Sequence, residues 1–332
     1  MKIYDSNGWV NWEYITGMNR AFTMVVGARG TGKTYGLFKY LITRKIPFIY
    51  LRRLQAQLDM SKTASGNPFN KVGRDLGLNI IPRKKSKICE FIDDEENVIA
   101  VGAALSTVST IRGFDLSAYT VIVFDECIPM IGERPIKNEF DAFLNFYETV
   151  NRNREIEGGL PVSCYMLGNA NQLINPYFSG WKFTKTALRM ITGGQMLYTT
   201  PDKTRSMILL LDSPVSARKR NTALYKNANT GFINMAIDNA FRTDQTIIAS
   251  KPLREYRHIV SIGEIGIYKH KSKREYYVSD VTAKSPYYTD FGIELKQFQI
   301  DYALFKFLYM AKKAFVFESY ENEILFRNYL NL

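Results

Sequence analysis

Eight consecutive residues, Gly27-Ala28-Arg29-Gly30-Thr31-Gly32-Lys33-Thr34, fill every position of a phosphate-binding loop. Glycines let such a backbone curl round phosphate oxygens, and the N–H groups that open the following helix point at the anion. In that arrangement Lys33 reaches the β- and γ-phosphates and the Thr34 hydroxyl ligates Mg²⁺. ATP and Mg²⁺ are the expected ligands.

A second set of groups completes the chemistry. The apolar run Thr120–Phe124 ends in Asp125-Glu126. At the tip of a buried strand Asp125 is placed to hold the Mg²⁺ shell, and Glu126 to polarise the attacking water as general base. A water-activating glutamate favours hydrolysis over transfer to a small acceptor. The run Ser163–Leu167 ends in Gly168-Asn169-Ala170-Asn171. An amide there senses the γ-phosphate or positions the water, with Asn169 preferred, although turn preference alone also accounts for it. Arg152 and Arg154 close the helical run Phe140–Val150. Basic residues are favoured at a helix C-terminus by the dipole. The functional alternative is an arginine finger given to a neighbouring subunit, which requires a closed head-to-tail ring. Arg152 is the first candidate, Arg154 the second, and Arg29 competes from within the loop. Arg52-Arg53 closes the run Phe48–Leu51 on the ligand side. Phosphate, Glu126 and a neighbouring subunit are all open as contacts, and one of the two arginines is expected in solvent.

The elements that must position these groups are legible as alternating runs. Strands are predicted at Phe22–Val26, Phe48–Leu51, Val98–Ala103, Thr120–Phe124 and Cys164–Leu167, and helices at Tyr35–Leu41 and Phe140–Val150. Such alternation means an α/β domain with a mostly parallel sheet and a ligand site at the strands' carboxyl ends. The predicted organisation is an ATPase domain over 1–198, a basic linker over 199–229, and a small α+β domain over 230–332. The last has strands at Tyr256–Ile262, Gly266–Lys269 and Tyr276–Val278 and a helix from Lys296 to about Phe315. Three cysteines, Cys89, Cys127 and Cys164, lack metal spacing and read as buried thiols.

The net charge of +12 points to a polyanionic partner. Nine Lys/Arg against two Asp fall between Lys182 and Lys226. Lys62, Arg83, Lys84, Lys85 and Lys137 read as loop residues suited to sequence-independent DNA-phosphate contacts. No apolar run reaches 18 residues, so no transmembrane helix is expected, and the opening Met1–Ser6 lacks the apolar core of a secretory leader.

Together these segments resemble the DNA-packaging ATPases of small podoviruses of the phi-twenty-nine type, a branch of the additional-strand P-loop ATPases. The resemblance rests on Gly27–Thr34, Phe48–Arg53, Val121–Glu126, Arg152-Asn-Arg-Glu155 and Asn169–Phe178, within residues 20 to 180. It implies a homo-oligomeric, pentameric ring that hydrolyses ATP to drive double-stranded DNA into a prohead. It also implies attachment to the portal, or to a structural RNA, by a second domain with an inactive RNase H-like nuclease fold. By the same resemblance Lys33 and Thr34 bind nucleotide and metal, Asp125 holds the metal, Glu126 is the base and Arg152 acts in trans. The site of action is the host cytoplasm, at the portal vertex. Glu255, Glu264, Asp280 and Asp290 show no nuclease spacing, so no nuclease activity is expected. The alternatives are a helicase, a nucleotide kinase, or a nucleotide-holding capsid-vertex protein without motor activity.

Overall fold

The computed structural model describes residues 3–85, 87–110, 115–130, 133, 136–170, 175–211, 213–219, 222, 249–311 and 314–332. The chain divides into two units, one of Met1–Gln172 with Arg189–Ala240, the other of Leu173–Leu188 with Phe241–Leu332.

In the first unit the apolar runs become strands: β1 Phe22–Gly27, β2 Phe48–Arg52, β3 Ile81–Lys85, β4 Ile88–Ile92, β5 Val98–Ala104, β6 Val121–Asp125, β7 Ser163–Asn169, β8 Leu197–Thr199 and β9 Arg205–Leu210. Among the described residues these nine form one sheet in the order β3-β4-β5-β2-β6-β7-β1-β9-β8. The six from β5 to β9 in that order run parallel, and the edges β3, β4 and β8 are antiparallel. Strands buried on both faces need continuous apolar sequence, which is why β6 and β7 show no alternation. Strand β7 stands between β1 and β6, so an additional strand separates the phosphate loop from Asp125.

Five helices of this unit matter for the site: α1 Trp12–Thr16, α2 Lys33–Thr43, α3 Gln55–Ser61, α4 Asn70–Leu76 and α5 Glu139–Asn151. Helix α2 packs Leu37, Phe38 and Leu41 inward at helical spacing. Phe38, Phe48, Tyr50, Phe69 and Phe91 form an aromatic core beneath it, with ring centroids 4.7 Å apart for Phe38–Phe69 and for Phe69–Phe91.

The stretch read as a linker contains β9. Its run Ser206–Leu210 is buried, and the strand pairs in parallel with β1, residue for residue from Phe22–Arg205 to Gly27–Leu210. The flanking Pro201 and Pro214 and the surrounding charge hide this short apolar run. Of the basic residues in that stretch, Arg220 and Lys226 lie outside the described residues.

The second unit has strands β10 Tyr256–Ile262, β11 Ile265–His270, β12 Tyr276–Ser279, β13 Tyr287–Tyr288 and β14 Phe315–Phe317, in the order β13-β10-β11-β12-β14. β10, β11 and β12 form an antiparallel meander, whereas β13 and β14 join its two edges in parallel. The single helix read from Lys296 to about Phe315 is two helices, Gly292–Asp301 and Ala303–Met310, that meet where Tyr302 leaves helical geometry at φ −115°, ψ 25°. Phe315-Val-Phe317 is strand instead, because all three side chains are buried beside β12.

Phe69 lies at the centre of the first unit's aromatic cluster and has no exposed surface. Phe69→Ala is expected to destabilise that unit by about 3–5 kcal/mol, read as a lower denaturant midpoint. The exposed Ile156→Ala serves as the near-neutral comparison.

Candidate active site

The loop between β1 and α2 lies over the carboxyl ends of the parallel strands. Gly30 and Gly32 adopt φ of 69° and 88°, values that a side chain disfavours. Gly32 caps α2 with no side-chain hydrogen bond. The first-turn N–H groups, which have no intrahelical acceptors, are therefore available to an anion.

Parallel register brings the remaining groups to this edge. Gly27 is level with Asn169 across β1 and β7, and Asp125 is level with Leu167 across β6 and β7. The result is a cavity of about 380 Å³ lined by Arg29, Lys33, Thr34, Asp125, Glu126 and Asn169, among others. Lys33 Nζ lies 2.9 Å from Gly27 O, 2.8 Å from Ala28 O and 3.3 Å from Asn169 Oδ1. Those three contacts engage all three ammonium protons. The Thr34 hydroxyl donates to Asp125 Oδ1 at 2.7 Å.

Asp125 is buried, which pushes its carboxyl up from the usual range. The Arg52 charge and the Thr34 hydroxyl oppose that shift, while Glu126 adds to it. Glu126, at the strand tip, adopts φ 51°. A left-handed glutamate costs on the order of 1–3 kcal/mol and is kept only where neighbours impose it. Its side chain is 50% exposed and faces the cavity.

Arg52 ends β2 and Arg53 is the bend residue that follows, and the two guanidiniums take different partners. Arg52 reaches Asp125 Oδ2 at 3.1 Å and Glu126 Oε2 at 2.6 Å. Arg53 is 0% exposed and grips Glu139 with two hydrogen bonds of 2.7 Å. Its Nη1 also stands 2.7 Å from Glu133 Oε2, at an angle outside hydrogen-bond geometry, so that contact is charge pairing. Neither arginine is the solvated one that the sequence suggested. Glu133, between β6 and α5, and Glu139, the first residue of α5, bring two carboxylates to Arg53.

The other predicted residues lie elsewhere. Arg152 is the C-cap of α5 and pairs with Asp115 at 3.4 Å. Arg154 donates to Ser117 O and Tyr119 O, just before β6 begins. Both therefore sit at the amino end of β6, about 13 Å of strand away from Asp125. Arg29 is exposed at the cavity, and its guanidinium approaches Met130 Sδ at 3.6 Å. Asn171 lies outside the described residues. Asn175 is a helix cap whose side chain accepts from Tyr177 N and Phe178 N, so the Asn-Pro-Tyr-Phe segment is explained by helix initiation.

The basic residues offered for DNA divide. Lys62 is no loop residue but the buried cap of α3, paired with Asp59 at 2.7 Å. Arg83, Lys84 and Lys85 lie on edge strand β3, where Arg83 and Lys85 pair with Glu90 of β4. β3 pairs antiparallel with β4, so what reads as a charged loop is part of a strand pair. Lys84 and Lys137 are exposed. In the second unit, Lys185 Nζ lies 2.8 Å from Glu264 O and 2.9 Å from Asp280 Oδ1, and Asp290 accepts from Tyr329. Glu255 stands 3.8 Å from His270.

Sequence reasoning missed Glu133, Glu139 and the N-terminal segment. Glu139 was detectable only as an acidic residue in the first turn of a helix, a position the dipole already explains. Trp9 and Trp12, two indoles in a short polar stretch, were the available signal for the N-terminal segment.

A sequence profile of the family described as "Podovirus DNA encapsidation protein (Gp16)" matches residues 4–297. A DNA packaging protein of Bacillus phage B103 is 30% identical over 254 residues, which cover 74% of this chain and 71% of that protein. The N-terminal domain of the DNA packaging ATPase from bacteriophage phi29 superposes with a TM-score of 0.50 at 26% identity, over 62% of this chain and 97% of that domain. The Phi-28 gp11 DNA packaging motor shares the fold along nearly the whole length, with a TM-score of 0.62 at 19% identity over 98% of this chain and 99% of that one.

Removing Arg53 strands a buried carboxylate. Arg53→Ala is expected to cost about 3–5 kcal/mol in unfolding free energy, measured by urea titration. Lys71→Ala, which breaks the exposed pair with Asp75, is expected to cost under about 1 kcal/mol.

Proposed function

Because this chain belongs to the podovirus DNA encapsidation protein family, we propose that it is the ATP-hydrolysing motor that packages double-stranded viral DNA into a preformed prohead. The observation that carries the reading is the convergence of Lys33, Thr34, Asp125, Glu126 and Asn169 on one cavity, in a chain matched by the family profile over residues 4–297.

The loop N–H groups and Lys33 bind the phosphates of ATP. Thr34 and Asp125 present two hard oxygens 2.7 Å apart, a donor set that fits Mg²⁺. These two residues would hold it, and the ion supplies charge neutralisation on the β- and γ-phosphates. Glu126 orients a water toward the γ-phosphate and takes its proton. Arg52, bound to Glu126 Oε2 and Asp125 Oδ2, fixes the spacing of the two carboxylates. Asn169, already in contact with Lys33, reports the γ-phosphate to β7.

Arg152 is the trans-acting finger in this proposal. Its position at the far end of the strands supports service to a neighbouring site over its own, which calls for a head-to-tail ring, pentameric by family resemblance. Arg29 is the cis candidate. Double-stranded DNA contacts are made to phosphates by exposed lysines such as Lys84 and Lys137, so binding is indifferent to sequence.

The second unit attaches the ring to the portal or to a structural RNA in the host cytoplasm. Its meander β10-β11-β12 with a parallel β13 supports an RNase H-like ancestry, although β14 pairs with β12. The Lys185 ammonium beside Asp280 and Glu264 O supports the absence of nuclease activity.

Glu126→Gln is expected to bind ATP with near-native affinity and to lose at least about 100-fold in turnover, measured by equilibrium binding and phosphate release. Unchanged turnover would remove Glu126 as the base. Mixing Arg152→Ala with Glu126→Gln subunits is expected to restore part of the hydrolysis if the finger acts in trans. Failure at every ratio in assembled rings excludes that role. ATPase stimulation by double-stranded DNA is expected to fall steeply with added salt, and a salt-independent response counts against DNA as the load.

A further inference from the structure

The carboxylate of Glu133 has three partners. Gln57 Nε2, on α3, donates to its Oε1 at 2.8 Å, and the Met130 backbone N–H donates to its Oε2 at 3.0 Å. The buried Arg53 guanidinium stands 2.7 Å from the same Oε2. The Glu133 N–H returns to Met130 O at 3.0 Å, so the two residues close a turn on one another. Two of the partners are themselves held, Arg53 by two hydrogen bonds to Glu139 and Gln57 by the Leu54 N–H on its Oε1 at 3.2 Å. Side chains that are already immobilised lose little further entropy, so the carboxylate fixes the Met130 backbone firmly.

Met130 in turn meets the phosphate loop. Arg29 Nη2 approaches Met130 Sδ at 3.6 Å, and Arg29 lines the phosphate cavity with Lys33, Thr34, Asp125, Glu126 and Asn169. A thioether is a weak acceptor, and Met130 is half-exposed. The contact therefore adds little stability; its effect is to locate a long, permanently charged side chain. Between Glu126 and Met130 the chain is pinned, since Cys127 N donates to Leu167 O at 3.0 Å and both Cys127 and Ile128 are buried. The segment is thus held by β7 at Cys127 and by Glu133 at Met130. It begins beside the catalytic carboxylate of Glu126 and ends at the contact to Arg29.

We propose that Glu133 is a positioning residue of the ATPase: by holding Met130 it sets the Arg29 guanidinium at the phosphate cavity. The proposal rests on the reading of that cavity as the ATPase site and of Arg29 as a cation acting in cis. Glu133 lies outside the cavity lining, so its influence passes through Met130. A cation preplaced where the transferring phosphate develops charge lowers the barrier, and one left to wander loses that advantage. The ground state keeps Lys33 and the loop N–H groups, so the loss falls on turnover and not on ATP affinity. Arg52 and Arg53 then serve one site by two routes, Arg52 directly on Asp125 and Glu126 and Arg53 through Glu133.

The test is a double-mutant cycle in the full chain, with ATP turnover and equilibrium ATP binding measured for each variant. Glu133→Ala is expected to lower kcat at least about tenfold and to leave ATP affinity within about threefold of the wild type. Glu133→Gln keeps an acceptor for the Met130 N–H and is expected to recover part of that loss. Arg29→Ala is expected to lose at least as much as Glu133→Ala. The double variant is expected to lose no more than Arg29→Ala alone, because no guanidinium is then left to set. Met130→Ala removes the relay at a half-exposed position with little effect on the denaturant midpoint, and is expected to copy Glu133→Ala in kcat. Where Glu133→Ala fails to fold, the cycle of Met130→Ala with Arg29→Ala takes its place. A double variant that loses more than Arg29→Ala alone overturns the proposal. So does wild-type kcat in either Glu133→Ala or Met130→Ala, and so does a loss confined to ATP affinity. In each of these cases turnover by the wild-type chain leaves the ATPase reading intact. A wild-type chain without ATP turnover overturns that reading, and the positioning role falls with it.

Discussion

A carboxylate cannot be taken out of water alone, and the geometry of the first unit follows from how Asp125 is compensated. Its two oxygens are met from different directions, one by the Thr34 hydroxyl at the start of α2 and the other by the Arg52 guanidinium at the end of β2. Burying such a charge unpaired costs several kcal/mol, so these contacts tie the phosphate loop, β2 and β6 to one point. The nucleotide site is where three elements must converge to keep one charge satisfied.

Arg52, at the end of β2, and Arg53, in the bend after it, extend that constraint to different partners. Arg52 secures the reacting end through Asp125 and Glu126. Arg53 secures the segment between β6 and α5 through Glu133 and Glu139. The same segment carries Met130, which contacts Arg29 of the loop. Catalytic geometry and the stability of the surrounding loops therefore share one dipeptide. The left-handed Glu126 fits this picture, since such strain persists only where the surroundings hold the residue in place.

The loop is also held from the side away from the carboxylates. Trp12 and Val10 hydrogen-bond to the carbonyls of Gly32 and Thr31, and Trp12 fills the space that the missing Cβ of Gly36 leaves. Residues at both ends of the first unit's sequence meet here, for Pro214 packs against Gly8 and Arg218 donates to Asn7 O at 2.7 Å. Backbone amides can serve an anion only when they are held still beforehand. The N-terminal segment contributes that stillness with few residues.

The sequence by itself determined the phosphate loop and the parallel core. A phosphate loop is a local object: its glycines, lysine and threonine act on a ligand within eight residues, so their order suffices. Buried parallel strands are equally local in their signature: β1, β2, β5, β6 and β7 are legible as continuous apolar runs, of which β6 leads to Asp125 and Glu126 and β7 to Asn169. Tertiary structure decided whatever depends on a partner distant in the chain. β9 is six residues within a charged stretch and becomes a strand because β1 offers it an open edge. Phe315–Phe317 leaves a helical pattern because β12, in the second unit's own sheet, offers it an edge. One of Arg52 and Arg53 reads as a solvated arginine until Asp125 and Glu126 meet the first and Glu133 and Glu139, some 80 positions on, meet the second. Lys62, Arg83 and Lys85 read as free cations until Asp59 and Glu90 neutralise them. Burial and charge compensation are pairwise properties, and a linear sequence states only one member of each pair.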